Sequence, residues 1–188
     1  MEKQPNIGAR LKATRRKRHL SLDKVAELTG VSKTMLGQIE RGESSPTLNT
    51  LWKIATGLKV SFSSLVSEPI QQTDCSSGQF VGFSAIQALA EDKGLLKIYP
   101  QFSFDSMRGF EMFLLELEPG CNHHSEAHDD GVEEYIMVLE GEITIGVAAQ
   151  EYRLKKGDVL RYFANQPHCY QNLSKQQASF YHLIYYMS

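Results

Sequence analysis

The stretch Gly30-Val31-Ser32-Lys33-Thr34-Met35-Leu36-Gly37-Gln38-Ile39-Glu40-Arg41-Gly42 constrains this chain more than any other. Ser32 is placed to cap a helix, its hydroxyl accepting from an unpaired N–H of the first turn. Gly42 stands where a helix end needs a positive φ. Gly30 permits a left-handed turn before the helix begins. Between them, Met35, Leu36 and Ile39 share one face, and Lys33, Thr34, Gly37 and Gln38 take the other. The segment before it opens at Ser21 and buries Leu22, Val25, Ala26 and Leu28 as one face of an earlier helix. Ala26 is small where the two helices must cross closely. Val25, Val31, Leu36 and Ile39 form the wedge between them.

Two helices joined this way make a helix-turn-helix, whose second helix lies in a DNA major groove. The low bulk of the exposed face suits that placement. Gln38 can bond adenine at two points, Lys33 can donate to guanine acceptors, and the Thr34 methyl can touch a thymine methyl. Flanking segments extend the unit. Ile7 to Arg18 has helix spacing, with Ile7, Leu11 and Thr14 on one side. It ends in Arg15-Arg16-Lys17-Arg18, a run that suits both a helix C-terminus and a phosphate backbone. Pro46-Thr47 opens a further helix with Leu48, Leu51, Trp52 and Ile54 for the core, ended by Gly57-Leu58. Ser61 to Leu65 reads as a last short turn. Five short helices within residues 1–66 make one small independently folding unit.

Charge separates this unit from the rest. Residues 1–60 carry 12 Lys/Arg against 5 Asp/Glu, and residues 61–188 carry 8 against 17. A basic front suits nucleic acid, and an acidic back would be repelled by it. The pattern Ile7-Gly8, Leu11-Lys12, Arg15, Leu20-Ser21, Ala26, Gly30-Val31-Ser32, Ile39-Glu40-Arg41-Gly42 and Pro46-Thr47 resembles the XRE/phage-repressor-type helix-turn-helix family, across residues 5–66. The resemblance implies sequence-specific binding of double-stranded DNA, as a dimer on a palindromic operator. It assigns base reading to Ser32, Lys33, Thr34 and Gln38, with Arg41 completing the DNA-binding set. It also implies an internal ion pair between Arg15 and Glu40. Leu22 stands where that family often has a phosphate-binding Gln.

Residues 67–79 are polar, with Pro, Gly and Ser, and read as a linker. From Phe80 the period changes. Segments at 95–99, 110–117, 134–139, 142–145, 158–163 and 178–185 are short, β-branched or aromatic, and separated by Pro119-Gly120, Glu140-Gly141 and Lys156-Gly157. Short strands of even spacing suggest a sandwich or barrel. Tyr135 to Leu139 is apolar on both faces, as suits a barrel whose outside packs on another sheet or subunit. His128, Asp130 and Glu134 flank the start of one strand and His168 starts another. Two His and one carboxylate make a facial set typical of iron, zinc or manganese.

This second part resembles the cupin superfamily over residues 108–186. Glu134 and Gly141 keep the spacing of the first cupin motif, and His128 keeps its spacing to Glu134. Asp130 stands in place of the motif's second His, and two extra residues separate Gly120 from His128. Gly157, His168 and Asn172 keep the spacing of the second motif, with Phe163 for its Pro and Asn165 for its Gly. The resemblance implies a double-stranded β-helix barrel. His128, Asp130, Glu134 and His168 then form either a divalent metal site (Fe, Zn or Mn) or the hydrogen-bonding lining of a metal-free effector pocket. Strand alternation points Tyr170 into the pocket and Cys169 away from it. His123 and His124 read as exposed loop residues in the insertion, and His182 as a strand packing residue.

The expected fold is therefore α + β in two domains. Residues 1–66 form an all-α five-helix domain, 67–79 a linker, and 80–188 an all-β cupin barrel for sensing and dimerisation. The combination resembles one-component bacterial transcription regulators, in which a small-molecule effector or metal in the barrel alters DNA binding by a homodimer. Two other functions fit the same motifs: a metal-dependent oxygenase or isomerase with a DNA-binding module, and an antitoxin-like DNA-binding protein. The cysteines Cys75, Cys121 and Cys169 form no paired framework. With no apolar run near a membrane span, they lead to an expected cytoplasmic location with no membrane partner.

Overall fold

The computed structural model describes residues 6–66, 78–86, 88–105 and 107–187. The chain forms two compact units, Met1–Gln71 and Gln72–Ser188. Residues 67–77 of the expected linker, with Cys75, lie outside the described residues.

The first unit holds α1 (Ile7–Lys17), α2 (Leu22–Thr29), α3 (Lys33–Arg41), α4 (Leu48–Gly57) and α5 (Phe62–Val66). Each helix start from α1 to α4 is capped by the side chain before it. Asn6, Ser21, Ser32 and Thr47 accept from the backbone N–H of Ala9, Lys24, Met35 and Thr50. Gly30 (φ 67°) and Gly42 (φ 72°) close α2 and α3 in the left-handed conformation that a side chain would strain. The core is Leu11, Val25, Val31, Leu36, Ile39, Leu48, Leu51, Ile54, Leu58, Phe62 and Leu65. Trp52 stacks on Phe62 at 4.7 Å.

Three expectations for these helices are corrected. Met35 does not share the buried face: it is 41% exposed. Gly37, placed on the open face, is buried beside Leu22 and the Arg41 guanidinium. Leu28, expected in the core, is 44% exposed. The first two follow from how α3 is turned against α2, which residue spacing leaves free by a fraction of a turn.

The second unit is antiparallel throughout. Its strands are β1 (Leu89–Glu91), β2 (Leu96–Asp105), β3 (Phe110–Leu117), β4 (Asn122–Ser125), β5 (Val132–Glu140), β6 (Glu142–Val147), β7 (Gln150–Lys155), β8 (Val159–Phe163), β9 (His168–Gln171) and β10 (Ala178–Tyr186). They make a six-stranded sheet, β1-β2-β3-β10-β5-β8, and a four-stranded sheet, β4-β9-β6-β7. Leu96, Leu115, Leu117, Ile136, Val138, Ile143, Ile145 and Phe180 fill the interior. Buried Asn172 ties the β9–β10 turn down, donating to the carbonyls of Leu117 and Gln176, both at 2.8 Å. Among the described residues no helix is long and apolar enough to cross a membrane.

The outer face of the larger sheet is mostly apolar along its cross-strand rows, with Arg161 and Glu133 as the charged members of two of them. Leu114, Tyr181, Met137 and Val159 form one row across β3, β10, β5 and β8. Met112, Leu183, Tyr135 and Arg161 form the next, and Phe110, Tyr185, Glu133 and Phe163 the third. Val159 and Phe163 on the edge strand β8 are 71% and 54% exposed.

Candidate functional site

Ser32, Lys33, Thr34, Gln38 and Arg41 are all exposed on or beside α3. Lys33 pairs with Asp23 at 2.9 Å, and Arg41 forks onto Glu43 with two bonds of 2.7 Å. Both pairs are exposed and screened by solvent, so a phosphate can replace either carboxylate at little cost. Arg15 and Glu40 form the expected internal pair, Nε and Nη2 donating at 2.6 and 2.8 Å. Arg18 donates to the carbonyls of Leu58 and Lys59 beyond α4. The basic run therefore divides: Arg15 and Arg18 hold the domain together, while Arg16 and Lys17 are exposed.

The barrel centre is built on Glu134, which is fully buried on β5. Its strand neighbours across β8 and β10 are Tyr162 and Ile184. His128 precedes β5 and is held by its own N–H on the Ala164 carbonyl at 2.8 Å. His168 and Tyr170 come from β9, and His182 from β10. His128 Nε2 lies 2.9 Å and His168 Nε2 3.4 Å from Glu134 Oε1. On the second oxygen, Oε2, Tyr170 donates at 2.7 Å, Tyr162 also donates, and His182 Nε2 lies 2.9 Å away.

Burial pushes Glu134 up, but the charges of His182 and His168 and the bond from His128 win, holding it well below the usual carboxylate range. It is ionised. Burial pulls His168 down, and the Glu134 charge more than reverses this, so the net direction is up. Tyr162 and Tyr170 are raised by burial and by that same charge and stay protonated donors.

One detail tests whether these residues fit a metal. His168 Nδ1 faces the Gln166 carbonyl at 3.0 Å, and a carbonyl only accepts. The proton therefore sits on Nδ1, and in the neutral ring Nε2 is a lone pair aimed toward a carboxylate. That nitrogen has no hydrogen-bond partner. Either a proton or a metal ion can stand between that nitrogen and the carboxylate, and a backbone-anchored Nδ1–H is the usual support of a ligating imidazole. The ligand atoms of His128, Glu134 and His168 all lie within 4.8 Å of one another. The donor set fits a divalent ion.

Asp130 does not join this group. Its side chain is exposed on the turn before β5 and accepts from Asn165 at 3.2 Å. Tyr170 points inward, whereas Cys169 lies half-buried on the other face against Gly146. His123 and His124 are not loop residues: both belong to β4. His124 is exposed, but His123 is buried, stacks on Tyr170 and bonds Asp92 at 2.8 Å. His182 is not mere packing, given its contact with Glu134. Tyr162 and His182 were the site residues missed. Both were marked by parity, being polar positions between inward-facing apolar ones on their strands.

A basic helix-turn-helix followed by an antiparallel barrel with a buried ionisable centre defines a transcription regulator of two modules. Residues 11–65 match the helix-turn-helix family model and residues 113–184 the cupin domain model. The HTH-type transcriptional regulator SutR of Escherichia coli K12 is 37% identical over 180 residues, covering 96% of this chain and 94% of that one. A helix-turn-helix family transcriptional regulator from Vibrio cholerae superposes with a TM-score of 0.83 at 40% identity, over 98% and 97% of the two chains. The chain belongs to the XRE-type helix-turn-helix transcriptional regulators that carry a cupin domain. The iron(II) form of HppE shares the fold at a TM-score of 0.52 and 18% identity, covering 96% of this chain and 98% of that one.

Proposed function

We propose that this regulator binds a palindromic operator as a homodimer, and that its barrel holds a divalent metal ion on His128, Glu134 and His168 as part of the signal. The observation that carries the metal reading is the convergence of the ligand atoms of His128, Glu134 and His168 within 4.8 Å of one another in the buried centre. When bound, the ion supplies fixed charge and open coordination positions, where a small-molecule effector can attach. Iron, zinc and manganese all suit two imidazoles and one carboxylate. The state of the barrel shifts DNA affinity by the effector's differential affinity for the two dimer geometries.

The test is the metal content of the untagged full-length protein, purified without chelators and then offered each of the three ions. About one ion per chain is expected, and His168→Ala loses it. A wild type that takes up none of the three overturns the metal reading and leaves the cluster as the lining of an effector pocket.

Dimerisation is supported by the apolar outer rows on β3, β10, β5 and β8. Leu183 lies near the middle of that face, between Met112 and Tyr135. Leu183→Asp places an unpaired carboxylate at the centre of the interface, costing about 3 kcal/mol per copy. Light scattering should then give a monomer, and operator affinity should fall with it. A dimer that survives the substitution excludes this face.

Base reading is assigned to Ser32, Lys33, Thr34 and Gln38, with Arg41 on the phosphates. Their shared exposure around α3 supports the assignment. Gln38→Ala is expected to cost about 1–3 kcal/mol on the preferred operator and to relax choice at one base pair. Binding to a panel of single-base operator variants checks this. A uniform loss across the panel would reassign Gln38 to the backbone.

A further inference from the structure

The partners of Glu134 divide between its two oxygens. The imidazoles of the candidate metal group stand on one: His128 Nε2 lies 2.9 Å and His168 Nε2 3.4 Å from Oε1. Both tyrosine hydroxyls go to the other. Tyr170 donates to Oε2 at 2.7 Å, and Tyr162 donates to the same atom. His182 Nε2 stands 2.9 Å from Oε2 as well, without the alignment of a hydrogen bond. The three candidate ligands thus meet at one end of the carboxylate, and the hydroxyls close the other.

The fold fixes this division from two sides. Tyr162 is the cross-strand neighbour of Glu134 on β8, and Tyr170 comes from β9 in the smaller sheet. Their rings stand edge-on to His168, with centroids 5.5 and 5.6 Å away, so neither ring swings without moving a candidate ligand. A carboxylate oxygen has two lone pairs, and the two donors fill those of Oε2. An ion bound through both oxygens must displace one hydroxyl. Tyr162 and Tyr170 are only 9% and 3% exposed. A displaced hydroxyl therefore finds no water, and a buried polar group without a partner is costly. The neighbouring hydroxyl, 3.3 Å away, is a poorer acceptor than the carboxylate that Tyr170 reaches at 2.7 Å.

We propose that Tyr162 and Tyr170 are positioning residues of the metal centre: they hold Oε2 of Glu134, so that the ion is bound through Oε1 alone, beside His128 and His168. This rests on the metal reading above and adds which atom of the carboxylate serves it. A one-oxygen carboxylate leaves the ion one more open position than a two-oxygen one, so the tyrosine pair sets how much room an effector finds on the metal. His182 stays outside the ligand set, on the tyrosine side of the carboxylate.

The test uses the full-length protein with stoichiometric Zn(II). In a crystal structure of the zinc-loaded wild type, Oε1 alone should lie at about 2.0–2.2 Å from the ion, with both tyrosines still on Oε2. Zinc on Oε2, or on both oxygens, overturns the proposal without any variant. The second arm asks whether the tyrosines cause this. Infrared difference spectra of loaded minus metal-free protein give the gap between the antisymmetric and symmetric carboxylate stretches, which is wider for one-oxygen than for two-oxygen binding. Tyr162→Phe and Tyr170→Phe keep the rings against His168 and remove one donor each. Each should weaken Zn(II) binding by roughly 10–100-fold, as loss of an outer hydrogen-bond partner does, and the double variant should also narrow the gap. A double variant that binds zinc with the wild-type gap overturns the proposal whatever its affinity, since the tyrosines then do not choose the oxygen. Should the double variant not fold, the single variants are read in its place: affinities equal to the wild type overturn the proposal. A wild type that binds no zinc, iron or manganese is a failure of the metal reading itself, and this inference falls with it.

Discussion

Gly8→Val is expected to destabilise the helical unit by about 3 kcal/mol, which in a domain of this size lowers its melting temperature by roughly 12–24 °C. A Cβ built at Gly8 falls 2.1 Å from the carbonyl oxygen of Ile39 and 3.2 Å from its carbon. Both are backbone atoms of α3, so no side-chain rotation relieves the overlap. α1 must instead lift off α3 and open the core at Leu11, Leu36 and Ile39, all fully buried. A unit of this length has only about 3–9 kcal/mol of net stability to lose. The same contact sets the tilt of the reading helix, so operator binding should fall along with stability. Thermal unfolding of the full chain, followed by its helical circular dichroism, measures the effect. Ala9→Val, one residue further on at an exposed position, is the control for helix propensity. A Gly8→Val melting temperature equal to that of Ala9→Val would show that α1 and α3 have room to spare.

Glu134→Leu should be the most damaging substitution in the barrel, at about 3–5 kcal/mol. The carboxylate is the common partner of His128, His168, His182, Tyr162 and Tyr170. Removing it leaves three imidazoles and two hydroxyls facing each other in a dry interior with no charge to organise them. His168 also loses the charge that raises its pKa. Glu134→Gln keeps the shape and still accepts from the tyrosines, so its stability loss should be smaller, about 1–3 kcal/mol. Metal uptake should vanish in both. Urea unfolding monitored by the near-ultraviolet signal of the barrel tyrosines separates the two variants. Equal stability of Glu134→Leu and wild type would mean that Glu134 is not the hub of the cluster.

Local features of the helical unit were readable because they depend on neighbours three or four residues away. Ser21, Ser32, Gly30 and Gly42 each act through such a bond or a single backbone angle. The shared face of α3 was read less well. Met35 and Gly37 exchange the roles their spacing implied, since a helix's rotation against its neighbour is settled by packing. Ala26 was read as the small residue of the close crossing. Two further close approaches are at Gly8 on Ile39 and at Gly57, where a Cβ would fall 2.4 Å from the Leu28 carbonyl oxygen.

In the barrel, the cupin spacings of His128, Glu134 and His168 named the three residues that converge. The fourth position, Asp130, keeps the motif register, but its side chain is exposed and bonds Asn165 instead of turning inward. The two-residue insertion after Gly120 also hid β4, whose His123 turned out to face inward. His182 lay beyond any motif. Its strand pattern is the same for a packing residue as for a partner of the carboxylate, and only the pairing of β10 with β5 brings it to Glu134.

The sequence by itself determined the helix starts and stops, the change from helical to alternating period near Phe80, and the two-module charge split. These are local or compositional quantities, encoded within a few residues or summed over many. Only the tertiary structure decided which glycine carries a helix crossing, which face of α3 is open, and which histidines meet Glu134. Those depend on the rotation of packed helices and the register of strands distant in sequence, where a shift of one residue turns every side chain to the opposite face.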